Sequence, residues 1–139
     1  MEQEMSSAQR SASHGYRVVI DEKLPSLNEY INKCRTNRYG AAEYKREIEK
    51  RIMRYFSFKP ISKPVRILFT WQEANKRRDL DNVAFAKKFI LDAMVKGGYL
   101  KDDNRRWVTG FTDEFVYGDK ARVTLFITEV GDEEDDTKR

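Results

Sequence analysis

Cysteine is nearly absent. Cys34 is the only one in 139 residues, so no internal disulfide can form. That suits a reducing compartment. His14 is the only histidine, and one thiol plus one imidazole are too few for a structural zinc site. Proline occurs three times, and Pro60 and Pro64 mark one connection. No run approaches the ~18 apolar residues of a membrane span. The N-terminus lacks the apolar block of a secretory signal. These absences exclude a disulfide scaffold and a membrane-spanning helix, and the expected location is cytoplasmic.

Charge is abundant instead. Charged residues make up 36% of the chain, above the usual quarter, so a densely charged surface is expected. The net charge of +4 conceals a segregation. Residues 131–139 hold five acids against two bases, and residues 1–14 hold two acids against one base. The body, 15–130, is left with 24 bases and 16 acids. A basic body suits a polyanionic partner, although a merely soluble surface has the same composition. The expected organisation is a disordered lead over 1–14, a single domain over 15–130 and an acidic disordered tail over 131–139.

Within the body, Tyr16–Asp21 is a β-branched run that reads as a strand. Leu24–Tyr30 follows, with Pro25, Ser26 and Asn28 read as turn residues. Ala41–Tyr55 has helical spacing, with Ala41, Tyr44, Ile48, Ile52 and Tyr55 on one side. Lys45, Arg46, Glu49, Lys50 and Arg54 are assigned to the outer side. Val65–Trp71 reads as a buried strand. Asn82–Lys96 reads as one helix, stopped by Gly97-Gly98. Trp107–Val116 and Ala121–Val130 read as strands joined by a hairpin turn at Tyr117–Lys120. The order strand, helix, strand, helix, strand, strand predicts an α+β fold, with two main helices on a mostly antiparallel or mixed sheet.

The chemistry concentrates in Lys76–Asp103. Asp79 and Asp81 lie two apart where a strand should give way to a helix. In extended backbone such residues point the same way, so two carboxylates can converge on one hard cation. Asp102 and Asp103 form a second acidic pair after the helix, which can return the chain towards the first. Magnesium and manganese prefer oxygen ligands of this kind. Either ion can activate a water and neutralise charge developing on a phosphodiester. A nearby lysine would add fixed positive charge.

Each element has a plainer reading. Asp81 or Asn82 can cap the helix. Lys87 and Lys88 can form a solvated face, and Asp102-Asp103 a simple turn. In an unbroken helix with Asp81 at 0°, Lys88 falls at about −20° and Asp92 at about +20°, opposite the apolar stripe. That stripe is either a site or a surface pair of Lys88 with Asp92.

The run RRDLDN, then KKFILDAM, then GGYLKDD resembles the signature of the RusA family of Holliday junction resolvases. LPSLNEY is similar to the family's Pro-Ser-x-Asn stretch, and ARVTLFITE to its closing strand. The resemblance covers about Tyr16 to Val130. It implies a RusA-like α+β fold, a symmetric homodimer and metal-dependent cleavage of four-way DNA junctions. It carries the catalytic and metal-binding aspartates onto Asp79, Asp81 and Asp103, and a basic residue onto Arg78. The family's lysine lies one helical turn after the second aspartate, where this chain has Phe85. Counted back from Asp102-Asp103, Lys88 stands at the family's spacing, which implies a short insertion between Asp81 and Lys88. Lys87 is its neighbouring alternative.

The resulting expectation is a Mg2+-dependent (or Mn2+-dependent) endodeoxyribonuclease that makes paired nicks in DNA recombination and repair. Arg35, Arg38, Lys76, Arg77, Arg78, Lys87, Arg105 and Arg106 are the candidate phosphate contacts. Phe85, Phe89, Tyr99, Trp107 and Phe111 belong to a core or an interface. Three other readings remain open: a flap or other branched-DNA nuclease, an inactive junction-binding module, and an α+β interaction protein whose acids only cap and turn.

Overall fold

A computed structural model of the chain describes residues 15–130. The expected lead and tail lie outside the described residues. Four strands and four helices alternate in the order β1 (Gly15–Ile20), α1 (Leu27–Thr36), α2 (Arg38–Met53), β2 (Val65–Glu73), α3 (Leu80–Ala84), α4 (Lys87–Lys96), β3 (Val108–Tyr117) and β4 (Arg122–Glu129). Among the described residues no helix is long and apolar enough to cross a membrane.

The sheet has the order β1-β4-β2-β3. β4 runs antiparallel to both β1 and β2, while β2 and β3 are parallel. The fold is therefore α+β on a mixed sheet, as expected. Alternation along the strands decides which face is covered. Val65, Ile67, Phe69 and Trp71 of β2 are buried, as are Val123, Leu125 and Ile127 of β4. They form one core with Ile48 and Ile52 of α2 and with Phe89, Ile90, Ala93 and Met94 of α4. The opposite face of β2 and β4 is only partly buried or exposed.

Four sequence expectations need correction. First, Tyr117–Lys120 is not a hairpin turn. β2 lies between β3 and β4, so the connection arches over the end of β2. The Gly118 N–H donates to the Glu73 carbonyl at 3.0 Å, and the Gln72 side-chain amide donates to the Lys120 carbonyl at 2.8 Å. Second, the stretch read as a turn after β1 opens a helix. Ser26 is the N-cap of α1: its hydroxyl accepts from Glu29 N–H at 3.2 Å, and the Glu29 carboxylate accepts from Ser26 N–H at 2.7 Å. This reciprocal capping box satisfies two N–H groups that would otherwise lack a partner.

Third, Asn82–Lys96 is not one helix. It divides at Phe85-Ala86, where Ala86 N–H reaches Val83 and Lys88 N–H reaches Phe85 in tighter three-residue steps. The uninterrupted wheel assumed for Asp81, Lys88 and Asp92 therefore does not apply. With this break and with α1, the described residues form four helices, of which α2 and α4 supply most of the helical core. Fourth, Glu49 is buried rather than on the outer side of α2.

The glycine stop behaves as expected. Gly98 adopts φ +82°, the left-handed region. Gly98 N–H donates to Val95 and Tyr99 N–H to Met94, the paired bonds of a Schellman end. This turn buries Leu100 and starts the chain back towards β3.

Leu125 is fully buried in β4, an inner strand of the sheet. Leu125→Ala should destabilise the fold by about 2–5 kcal/mol, read as a lower urea midpoint at an unchanged slope.

Candidate active site

Parallel pairing of β2 with β3 requires a crossover, and the candidate residues lie along it. The chain leaves β2 at Glu73, passes Lys76 and Arg77, and enters α3. Asp79 is the N-cap of α3 by position, but its side chain makes no capping bond. Asp81 lies in the first helical turn. Both are exposed, and neither carboxylate has a hydrogen bond or ion pair among the described residues. The capping role considered for Asp81 is therefore not used. Asn82 follows with a buried side-chain oxygen that has no partner.

Arg78 is fastened internally. Its guanidinium donates two bonds to Glu73, at 2.9 and 2.7 Å, and one to the Leu24 carbonyl at 2.9 Å. The fork geometry of arginine suits this bidentate pairing. It pins the loop before Asp79 to the end of β2 and to the start of α1.

The structure separates the two lysines. Lys87 has a side chain only 14% exposed and donates to Asp113 at 2.8 Å. Its ammonium lies 3.7 Å from the Phe111 ring centroid, a cation–π contact. Asp113 also accepts from the Trp71 indole at 2.9 Å, so Lys87 is bound into the side of the sheet. Lys88 is 59% exposed and lies 3.8 Å from Asp103 and 3.5 Å from Asp92. The Lys88–Asp92 pair considered from the sequence is thus present, with Asp103 added to it.

Asp102 and Asp103 also diverge. Asp102 accepts from Asp103 N–H at 2.7 Å and from the Asn104 side-chain amide at 3.1 Å, which is turn-forming work. Asp103 presents its carboxylate to Lys88. Phe85, at the family's lysine position, packs against Tyr30 and Phe89 with centroids 5.8 and 5.5 Å away.

Behind Lys88 stands a feature that the sequence reading did not identify. Lys45 of α2 bonds Asp92 at 2.9 Å and lies 3.4 Å from Glu49, while Lys96 bonds Glu49 at 2.7 Å. The spacings 45-49 and 88-92-96 were the available signal. The bond to Asp92 holds Lys45 charged above the ordinary lysine range, against burial, which works in the other direction. A raised value means that this contribution is complete at neutral pH and is lost only as pH rises beyond the lysine range.

Of the other candidate cations, Arg35 is exposed at the end of α1, and the backbone of Arg38 opens α2. Lys76 is exposed with its ammonium over Tyr117, and Arg77, Arg105 and Arg106 are exposed on loops. Among the aromatics, Phe89 is buried, Phe85, Tyr99 and Trp107 are half-buried, and Phe111 is 49% exposed.

An all-carboxylate donor set fits a hard divalent cation rather than a soft one. Among the described residues, however, no three Asp, Glu, His or Cys side chains are gathered into one cation-holding group.

The crossover of this mixed α+β sheet therefore carries two carboxylates with no partner among the described residues, beside a group of exposed cations. Residues 3–128 match the family described as Endodeoxyribonuclease RusA, and the chain belongs to that family. Membership implies Holliday-junction resolvase nuclease activity, with metal-dependent catalysis. No curated protein matches the chain.

Arg78 and Arg77 should separate in effect. Arg78→Ala should lower stability by about 1–3 kcal/mol, since it leaves charge-assisted bonds at Glu73 unmade. Arg77→Ala should leave the thermal midpoint unchanged and weaken DNA binding in a salt-dependent manner.

Proposed function

We propose that Asp79, Asp81 and Asp103 hold magnesium, with manganese as a substitute, and that Lys88 is the catalytic lysine for paired nicking of four-way DNA. One observation carries this reading: Asp79 and Asp81 are adjacent, exposed carboxylates with no partner at the entrance to α3. Carboxylates that close helices or bind arginines are already engaged, and these two are available.

When bound, the cation would polarise the scissile phosphate and lower the pKa of a water. Asp79 and Asp81 supply oxygen ligands without first breaking an ion pair. Asp103 would share its carboxylate between the cation and Lys88, which stands 3.8 Å away. Lys88 then stabilises charge on the phosphate oxygens. Its exposure supports this role, as does the confinement of Lys87 between Asp113 and Phe111.

Arg35, Arg38, Lys76, Arg77, Arg105 and Arg106 contact the DNA backbone, giving register without base reading. Arg78 and Lys87 would reach a phosphate only by giving up their present bonds. Two symmetric nicks require two sites related by a two-fold axis, so the active form is a homodimer. It acts in the cytoplasm on chromosomal or mobile DNA.

The test is an end-labelled mobile four-way junction incubated with magnesium, beside flap and duplex DNA. Paired symmetric nicks on the junction are expected, abolished by chelation. Asp81→Asn should slow them at least about 100-fold, the scale set by loss of a strong electrostatic contributor, while junction binding persists. Equal cleavage by both proteins would remove Asp81 from the site. Preference for the flap would replace the four-way substrate with another branched DNA.

A further inference from the structure

We propose that Asp92 and Lys45 are positioning residues for Lys88, forming an ion ladder between helices α2 and α4 that fixes the lysine ammonium beside Asp103. This inference rests on the catalytic role given to Lys88 above.

The ladder alternates in sign along its whole length. Lys96, Glu49, Lys45, Asp92, Lys88 and Asp103 follow one another at 2.7, 3.4, 2.9, 3.5 and 3.8 Å. Lys88, Asp92 and Lys96 share one stripe of α4, and Lys45 and Glu49 share one stripe of α2, because four-residue steps keep a helical face. The first and third rungs couple one helix to the other, the second and fourth run within α2 and α4, and the fifth reaches the loop carrying Asp103.

Burial along the ladder is uneven and deepest at Glu49. In ladder order the side chains of Lys96, Glu49, Lys45, Asp92, Lys88 and Asp103 are 52%, 2%, 29%, 17%, 59% and 29% exposed. Glu49 accepts one hydrogen bond, from Lys96 to Oε1, while its buried Oε2 has no hydrogen bond and faces the Lys45 ammonium at 3.4 Å; a carboxylate buried this deeply depends on those two cations for its charge. A lone i,i+4 pair at a wet surface would hold Lys88 only weakly. Asp92 differs from such a partner because Lys45 grips its other oxygen. The restraint on Lys88 is thus passed outward from a buried anchor to an exposed head. Apolar side chains of similar volume would bind α2 to α4 at least as well as buried ions do. Stability alone therefore gives little reason for a ladder that ends on this lysine.

The experiment uses the full-length protein, a labelled four-way junction and magnesium, under single-turnover conditions. Asp92→Asn and Lys45→Met should each slow cleavage by between about tenfold and 100-fold, the cost of a small misplacement of a reacting group, with junction Kd unchanged. Lys45→Arg, which keeps the charge, should restore most of the rate. Asp92→Asn combined with Lys88→Met should be no slower than Lys88→Met alone, since Asp92 acts only through Lys88.

Thermal melts follow each variant. If Asp92→Asn does not fold, the two Lys45 variants still decide. Full-rate cleavage by Asp92→Asn or Lys45→Met beside a slow Lys88→Met would overturn the positioning role and leave the active-site reading standing. Losses that add in the double variant, or that Lys45→Arg fails to rescue, would make the ladder purely structural and overturn the proposal. Full-rate cleavage by Lys88→Met would remove Lys88 from catalysis and the positioning role with it.

Discussion

The parallel pairing of β2 with β3 is the constraint from which the site follows. Antiparallel neighbours can be joined by a tight turn, but parallel ones cannot. The chain must leave the end of β2, pass over the sheet and enter β3 from the other end. α3 and α4 make that passage, and almost every residue with candidate chemistry lies on it. Asp79 and Asp81 mark its entrance, Lys88 stands at the start of its longer helix, and Asp103 lies on the return. The insertion of β4 between β1 and β2 fixes the rest, since it leaves β3 at an edge and bars a β3–β4 hairpin.

Electrostatics on this crossover divide into engaged and disengaged charges. Arg78 is engaged with Glu73 and the Leu24 carbonyl, Lys87 with Asp113, and Lys45 with Asp92. These contacts set loop and helix positions in partly buried surroundings, where an unpaired charge would be costly. Asp79 and Asp81 have no such contacts. Among the described residues these two carboxylates are thus left facing solvent rather than spent on holding the fold.

Legibility in the sequence followed the physical range of each signal. The β2 and β4 strands were readable because alternation and β-branching are local, as was the Gly97-Gly98 stop. The D-x-D spacing is equally local, so the sequence displays the pair directly. The start of α1 is written in Ser26-x-x-Glu29, but Pro25 and Asn28 beside it carry an equally local turn signal, and only packing decides between the two. The supposed hairpin failed because turn residues at Gly118 and Asp119 do not reveal which strand lies alongside. Glu49 was placed on the outer side of α2 because its partner, Lys96, lies 47 positions away. Pairings at that range become visible only once both helices are packed. For the same reason, Asp92 was legible as a partner of Lys88 but not as a bridge to Lys45.

Phe85 and Lys88 are best understood together. Residue 85 points into the aromatic wall made by Tyr30 of α1 and Phe89 of α4. A lysine there would have to bury its stem against those rings and bring its ammonium out past them, with no carboxylate among its described aromatic neighbours. At residue 88 the circumstances reverse. Asp92 lies one turn ahead, Asp103 lies across the loop, and Lys45 keeps Asp92 in place. The tightened backbone at Phe85-Ala86 is where the two halves of the crossover meet. The surroundings of the two positions thus decide what each can hold: an aromatic ring at residue 85, and an ammonium between two carboxylates at residue 88.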